Sequence, residues 1–158
     1  MSLQEPIPWD LSELARPNYR WIDDSSQIRS FLFRGATFAG HPTEVFAYYA
    51  TPGTLQHGED QEGSLPGIVL IHGGGGSAFS DWVREWAARG YAALALDLGG
   101  RGPDGARLKL AGPPDRPAAQ KFARLEQCVS EHWPYHAIAD TLLALSLLRE
   151  RPEVDESR

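Results

Sequence analysis

Apolar and polar positions along the chain fall into a few distinct runs. Residues 28–38 and 44–50 combine aromatic and β-branched positions with polar ones and flank Gly40-His41-Pro42-Thr43. Two such runs around a turn string predict an antiparallel hairpin. Gly67-Ile68-Val69-Leu70-Ile71 is an unbroken apolar run that ends in His72. With no polar alternation it predicts a strand buried on both faces, as in a parallel sheet. Over 81–89, Trp82, Val83, Trp86 and Ala87 form a helical stripe closed by Gly90, and the two tryptophans, sharing a helix face, are read as core. Residues 91–98 predict a second buried strand with Asp97 near its C-terminal end. A strand–helix–strand order with short joints requires a right-handed βαβ unit and hence a parallel sheet.

The remaining segments frame this centre. Residues 1–26 carry Pro6, Pro8 and Pro17 among Trp9, Tyr19 and Trp21 and read as an arm with one short helix near 11–15. Residues 51–66 are polar, contain glycine and lack periodicity, which predicts a surface loop. The glycine- and proline-rich stretch 99–118 is too long for a simple connection and reads as a functional loop. Phe122, Leu125 and Val129 share one helical register over 119–131. A wide apolar stripe over 136–149 predicts a helix that lies on the sheet and stops at Arg151-Pro152. Trp133 and Tyr135 are read as a hydrophobic staple for that helix, the alternative being a cleft lined by His132, Trp133, Tyr135 and His136. Residues 27–158 then form one domain behind the 1–26 arm.

Composition narrows the partners. The chain has 158 residues, 42% of them apolar, and five Trp, enough for one domain with a real core. Its 15 basic and 21 acidic residues give a net charge of −6 without a basic run, which argues against nucleic acid and anionic membrane as partners. The single cysteine, Cys128, excludes an internal disulfide or a cysteine-cluster zinc site and reads as a small half-buried residue. The N-terminus lacks the basic and apolar regions of a signal peptide, and no apolar stretch is long enough to span a membrane. A cytoplasmic location is expected, with neither metal nor organic cofactor required.

The chemistry centres on Gly73-Gly74-Gly75-Gly76 directly after the apolar strand, followed by Ser77-Ala78-Phe79. Four residues without Cβ atoms let backbone N–H groups approach a ligand, and the helix that follows adds its positive end. Such a loop is built to hold negative charge on oxygen. That charge is either a phosphate or the oxyanion of an acyl-transfer intermediate.

The segment 65–105 resembles the α/β-hydrolase superfamily, and is similar to acetyl-xylan-esterase and dienelactone-hydrolase-like esterases. The likeness is carried by Pro66-Gly67-Ile68-Val69-Leu70-Ile71-His72-Gly73-Gly74-Gly75-Gly76, Trp86-Ala87-Ala88-Arg89-Gly90-Tyr91-Ala92, Asp97-Leu98-Gly99-Gly100-Arg101-Gly102 and Trp133-Pro134-Tyr135-His136-Ala137-Ile138-Ala139-Asp140. With the leading hairpin these pieces cover most of 28–155. The resemblance implies a three-layer α/β sheet of the hydrolase type, here its first four strands with flanking helices. It also implies an oxyanion hole whose first donor is the Gly74 N–H and second the Gly75 N–H, with His72, Gly73 and Asp97 supporting the loop. Gly-x-Ser-x-Gly, the nucleophile elbow, is absent. The expected order of the triad places nucleophile, acid and histidine after residue 158, so the chain reads as truncated before the elbow. The expected function is serine-dependent hydrolysis of a small-molecule ester or acetylated sugar, with this chain alone inactive. Arg101 reads as a solvated loop residue that has the option of reaching the site.

Other readings remain. Gly73-x-Gly75-x-x-Ala78 fits the dinucleotide fingerprint, with Asp97 on a ribose hydroxyl, although that motif usually opens its domain. A self-contained set of Ser77, Asp97 and His72 or His136 has no spacing to align it, and Ser77 is more simply a helix N-cap. A third class is a non-catalytic half-domain. In the hydrolase order the strand from Gly67 to His72 is central, so without a further neighbour it becomes an apolar edge open to self-association or to a second chain.

Overall fold

The computed structural model of the chain describes residues 8–10, 12, 14–15, 17–58, 63–121 and 128–158. Its centre is a mixed sheet of β1 (Tyr19–Asp23), β2 (Arg29–Phe38), β3 (His41–Ala50), β4 (Gly67–Ile71) and β5 (Ala92–Leu96), in the order β1-β2-β3-β5-β4. The pairs β1–β2, β2–β3 and β3–β5 are antiparallel, whereas β4 and β5 run parallel with Gly67 opposite Ala92 and Ile71 opposite Leu96. Around the sheet lie α1 (Pro52–His57), α2 (Ser80–Ala88), α3 (Ala118–Lys121) and α4 (Trp133–Arg149).

Alternation along β5 sets the three layers. Ala92, Leu94 and Leu96 point to one face and join Leu143, Ala144, Leu147 and Leu148 of α4, together with Phe31, Phe33, Val45 and Tyr49. Ala93 and Ala95 point to the other face and meet Val83 and Ala87 of α2, with Ile68 and Leu70 beside them. Small residues on both sides of that second contact let α2 lie close to the sheet. Each fully buried leucine on the α4 face contributes about 1.5–3 kcal/mol of transfer free energy.

The hairpin turn is tighter than the sequence suggests. Phe38 pairs with His41, so only Ala39 and Gly40 turn the chain, with φ of 48° and 75°. Two positive φ values match the right-handed twist of the flanking strands. The β2–β3 ladder shifts register between Gly35 and Phe38, and Ala36 finds its partners in side chains: Asp140 Oδ1 accepts its N–H at 3.1 Å and Thr43 Oγ1 donates to its carbonyl at 2.7 Å.

Several expectations change. Among the described residues five strands are present rather than four, because Tyr19–Asp23, assigned to the arm, pairs antiparallel with β2 and brings Trp21 edge-on to Phe31. Part of the 51–66 loop is helix α1, which opens with a capping box between Thr51 and Thr54, has Pro52 in its first turn and closes on left-handed Gly58. Strand β4 is half-buried rather than buried on both faces because it forms one end of the sheet, and Ile71 is 51% exposed. Trp82 is exposed and packs on Phe79 instead of entering the core, while Trp86 is partly buried against the cluster between α2 and the sheet. The N-cap position of helix α2 is held by Phe79, not by Ser77, and carries no side-chain capping bond. Cys128 is exposed, not half-buried. The helix expected near 11–15 lies partly outside the described residues, as does the centre of the one expected over 119–131. Ala118–Lys121 and a 3-10 turn at Val129–Glu131 flank that gap.

After α4 the chain returns to the free side of β4. Val154 forms a parallel bridge with Leu65, and the Gly67 N–H donates to the Arg158 carbonyl at 3.0 Å. Glu153, almost fully buried, anchors this return by accepting from the Tyr49 hydroxyl and from Arg151 Nε.

Candidate functional site

The site begins where β4 ends. His72 is 5% exposed, and its imidazole is tied on both sides by backbone. The Leu98 N–H donates to Nε2 at 2.9 Å, so Nε2 carries no proton. The ring hydrogen therefore sits on Nδ1, which donates to the Gly73 carbonyl at 2.7 Å. A neutral imidazole thus links the ends of the two parallel strands and holds the first glycine of the loop. The loop folds back on itself through the Gly76 N–H, which donates to the Gly73 carbonyl at 3.1 Å. Gly75 has a φ of +76°, which glycine adopts without strain. A methyl group on Gly76 would lie 2.8 Å from His72 Nδ1, so the ring and the loop require glycine there.

Asp97 closes the corner from β5. Its Oδ1 accepts the N–H groups of Gly99 at 2.8 Å and Arg101 at 2.7 Å, which fixes the turn out of the strand. Its Oδ2 is buried without a hydrogen-bond partner among the described residues and lies 3.9 Å from His72 Nε2, too far for a hydrogen bond. The carboxylate is 2% exposed and turned into the protein. A dinucleotide site needs that group presented to a ribose hydroxyl, and this geometry does not present it.

Above the glycines sits a pair of side chains that nothing in the local sequence marks. Asp115 Oδ2 accepts the Gly75 N–H at 2.7 Å, and Oδ1 is in an ion pair with Lys121 Nζ. Both side chains are about nine-tenths buried, with relative exposures of 9% and 11%. Burial opposes ionisation of Asp115, but the bonds from Lys121 and the Gly75 N–H outweigh it and hold the carboxyl below its ordinary range. Lys121 Nζ also lies 4.0 Å from the centre of the Trp133 ring, whose Nε1 donates to the Leu98 carbonyl at 2.6 Å. Gly74, by contrast, is an exposed residue whose N–H makes no hydrogen bond among the described residues. Gly75 and Asp115 stand 40 positions apart in the chain, and only the folded 99–118 loop brings them together.

His72, Gly73, Gly74, Gly75 and Asp97 therefore share one corner at the ends of β4 and β5. Ser77 does not join them catalytically, since both ring nitrogens of His72 are engaged by backbone. His136 is buried on α4, where Nε2 donates to the Ser130 carbonyl at 2.8 Å and burial lowers its pKa. Its ring meets those of Phe38 and Tyr135 edge-on. Tyr135 stacks on Trp9, which donates to its carbonyl. Arg101 is exposed and contributes its backbone N–H rather than its guanidinium to Asp97. Arg107 instead ties the loop, donating to the Gly99 and Gly112 carbonyls. Among the described residues no group of three or more His, Cys, Asp or Glu is placed to hold a metal ion. No helix among them is long and apolar enough to cross a membrane.

No protein-family model and no curated protein sequence matches the chain. Solved structures do. An acetyl xylan esterase from Paenibacillus sp. R4 superposes on all of this chain and on 52% of its own, with a TM-score of 0.63 and 24% identity. Acetyl xylan esterase 1 from Thermoanaerobacterium sp. JW/SL YS485 gives a TM-score of 0.60 and 19% identity, over all of this chain and 54% of that one. The chain thus has the fold of one part of these esterases, a mixed α/β sheet with flanking helices, and spans about half their length.

Proposed function

We propose that this chain supplies the oxyanion-holding part of a serine-dependent carboxylic ester hydrolase acting on a small ester or acetylated sugar. The observation that carries the reading is Gly74, an exposed residue after the end of β4 whose N–H has no hydrogen-bond partner among the described residues and which stands beside a buried histidine brace. Acyl transfer from an ester passes through a tetrahedral oxyanion. A donor already fixed where that charge develops stabilises it at no reorganisation cost, and removing one such donor typically slows the reaction by about a hundred- to a thousandfold. His72 holds the strand end rather than moving protons, because neither nitrogen is available. Nucleophile, acid and base then lie outside residues 1–158, and the serine would form an acyl-enzyme with help from its own histidine. The full-length likeness to part of two acetyl xylan esterases supports the reading.

The test combines p-nitrophenyl acetate turnover with active-site labelling by a fluorophosphonate. The polypeptide of residues 1–158 should show background turnover and no label. The whole protein from which the chain comes should hydrolyse the ester and carry the label on a serine beyond these residues. Labelling of Ser77, or turnover by the 158-residue chain, would refute this division of labour.

A further inference from the structure

The Gly75 N–H is occupied by the chain's own carboxylate. A carboxylate is the acid half of what an acetyl ester becomes on hydrolysis, and Asp115 presents one on a glycine- and proline-rich loop rather than on a strand or helix. Its counterion, Lys121, is 11% exposed and is held over the Trp133 ring. An ammonium so nearly buried is costly to leave without a negative partner. A methyl group on Gly74 would stand 3.1 Å from Lys121 Nζ, so the ammonium lies close against the backbone of the glycine loop, where Gly74 has no side chain to crowd it. The elements of an anion site are therefore assembled: a backbone donor, a nearly buried cation and, between them, a place for a carboxylate that Asp115 occupies.

We propose that the Gly75 N–H and the Lys121 ammonium form a binding site for a small monocarboxylate of the acetate class, which Asp115 fills in this structure and which the ligand enters by displacing it. Displacement needs no new charge in the site, because one carboxylate replaces another. The Asp115 side chain moves out to solvent with its charge, and Lys121 keeps its neutraliser throughout. Asp115 thereby sets the affinity: a competitor that fills the site nine-tenths of the time weakens external binding about tenfold. The site lies in the loop of the esterase reading, but its test does not involve ester turnover, so either can fail without the other.

The experiment is an acetate titration of the nitrogen-15-labelled chain, following the Gly75 amide resonance at constant ionic strength with chloride as control anion. Asp115→Ala should bind acetate saturably and at least about tenfold more tightly than the unaltered chain. Adding Lys121→Met to that variant should abolish the gain. Asp115→Asn, which keeps the shape but loses the charge, carries the same expectation and serves if the alanine variant is poorly folded. Equal affinity in the unaltered chain and the Asp115 variants, no saturable shift, or an equal response to chloride would each overturn the proposal.

Discussion

The His72 imidazole accepts the Leu98 N–H through Nε2 at 2.9 Å and so joins the C-terminal ends of two parallel strands. Both residues are buried, and the bond leaves the ring in one tautomer with its hydrogen on Nδ1, aimed at the Gly73 carbonyl. Truncating the ring would strand a buried donor on Leu98, and an unsatisfied buried group of that kind costs about 1–3 kcal/mol. His72→Ala should therefore lower unfolding stability by at least about 2 kcal/mol, with the cavity adding to the lost bond. Urea denaturation measures it. A change within a few tenths of a kcal/mol would mean that water replaces the ring freely.

Gly76 and His72 should act as one unit. A Cβ on Gly76 would come within 2.8 Å of Nδ1 and 3.2 Å of the His72 Cβ, so Gly76→Ala must push the ring or the loop. Overpacking of this kind costs about 1–3 kcal/mol, and residues in contact couple by about 0.5–3 kcal/mol. In a double-mutant cycle Gly76→Ala should be markedly less harmful on the His72→Ala background. Simple additivity would show that the clash is relieved elsewhere.

What could be read beforehand follows a physical line. The parallel pair β4–β5 and its crossover helix were legible because unbroken apolar runs around an amphipathic stripe have few other solutions. Strand β1 was hidden since Tyr19–Asp23 alternates weakly and is mostly exposed, so its place comes from pairing with β2 rather than from its own pattern. Helix α1 did leave a local mark: Thr51-Pro52 with Thr54 and Gly58 is a capping box, a first-turn proline and a C-terminal glycine, although so short a helix shows no apolar period. Asp115 and Lys121 left no mark at all. Their meaning arises from long-range contact with Gly75 and Trp133.

Asp140 gives the fold a pH dependence. Burial raises its carboxyl to about 7, against the Ala36 N–H, which pulls it down. The unfolded group titrates near 3.8, so between that value and about 7 the folded chain binds more protons than the unfolded one. The stability it contributes is full below the lower value and is lost as pH rises through about 7. The total change is on the order of 4 kcal/mol. Asp140→Asn keeps an acceptor for Ala36 and cannot ionise, so its stability should vary less between about pH 5 and about pH 8. Denaturation midpoints at the two pH values check this, and identical slopes for both proteins would exclude Asp140 as the cause.

The open side of β4 should show itself in solution. Among the described residues the returning chain meets the β4 segment at Leu65 through Val154 and at Gly67 through Arg158, and the strand beyond them ends the sheet with Ile71 half in water. Phe79 and Trp82, both 39% exposed, pack against each other with tilted rings at the start of α2. An apolar parallel edge without charge or proline is a template for pairing. Polypeptide 1–158 should therefore self-associate with rising concentration in sedimentation velocity runs. Burying the exposed half of an isoleucine is worth about 1 kcal/mol, and a lysine there adds repulsion between copies, so Ile71→Lys should weaken association at least about fivefold. Because Ile71 is already half exposed, that change should leave unfolding stability within about 1 kcal/mol of the unaltered chain. Unchanged association with preserved stability would place the self-contact elsewhere on the surface.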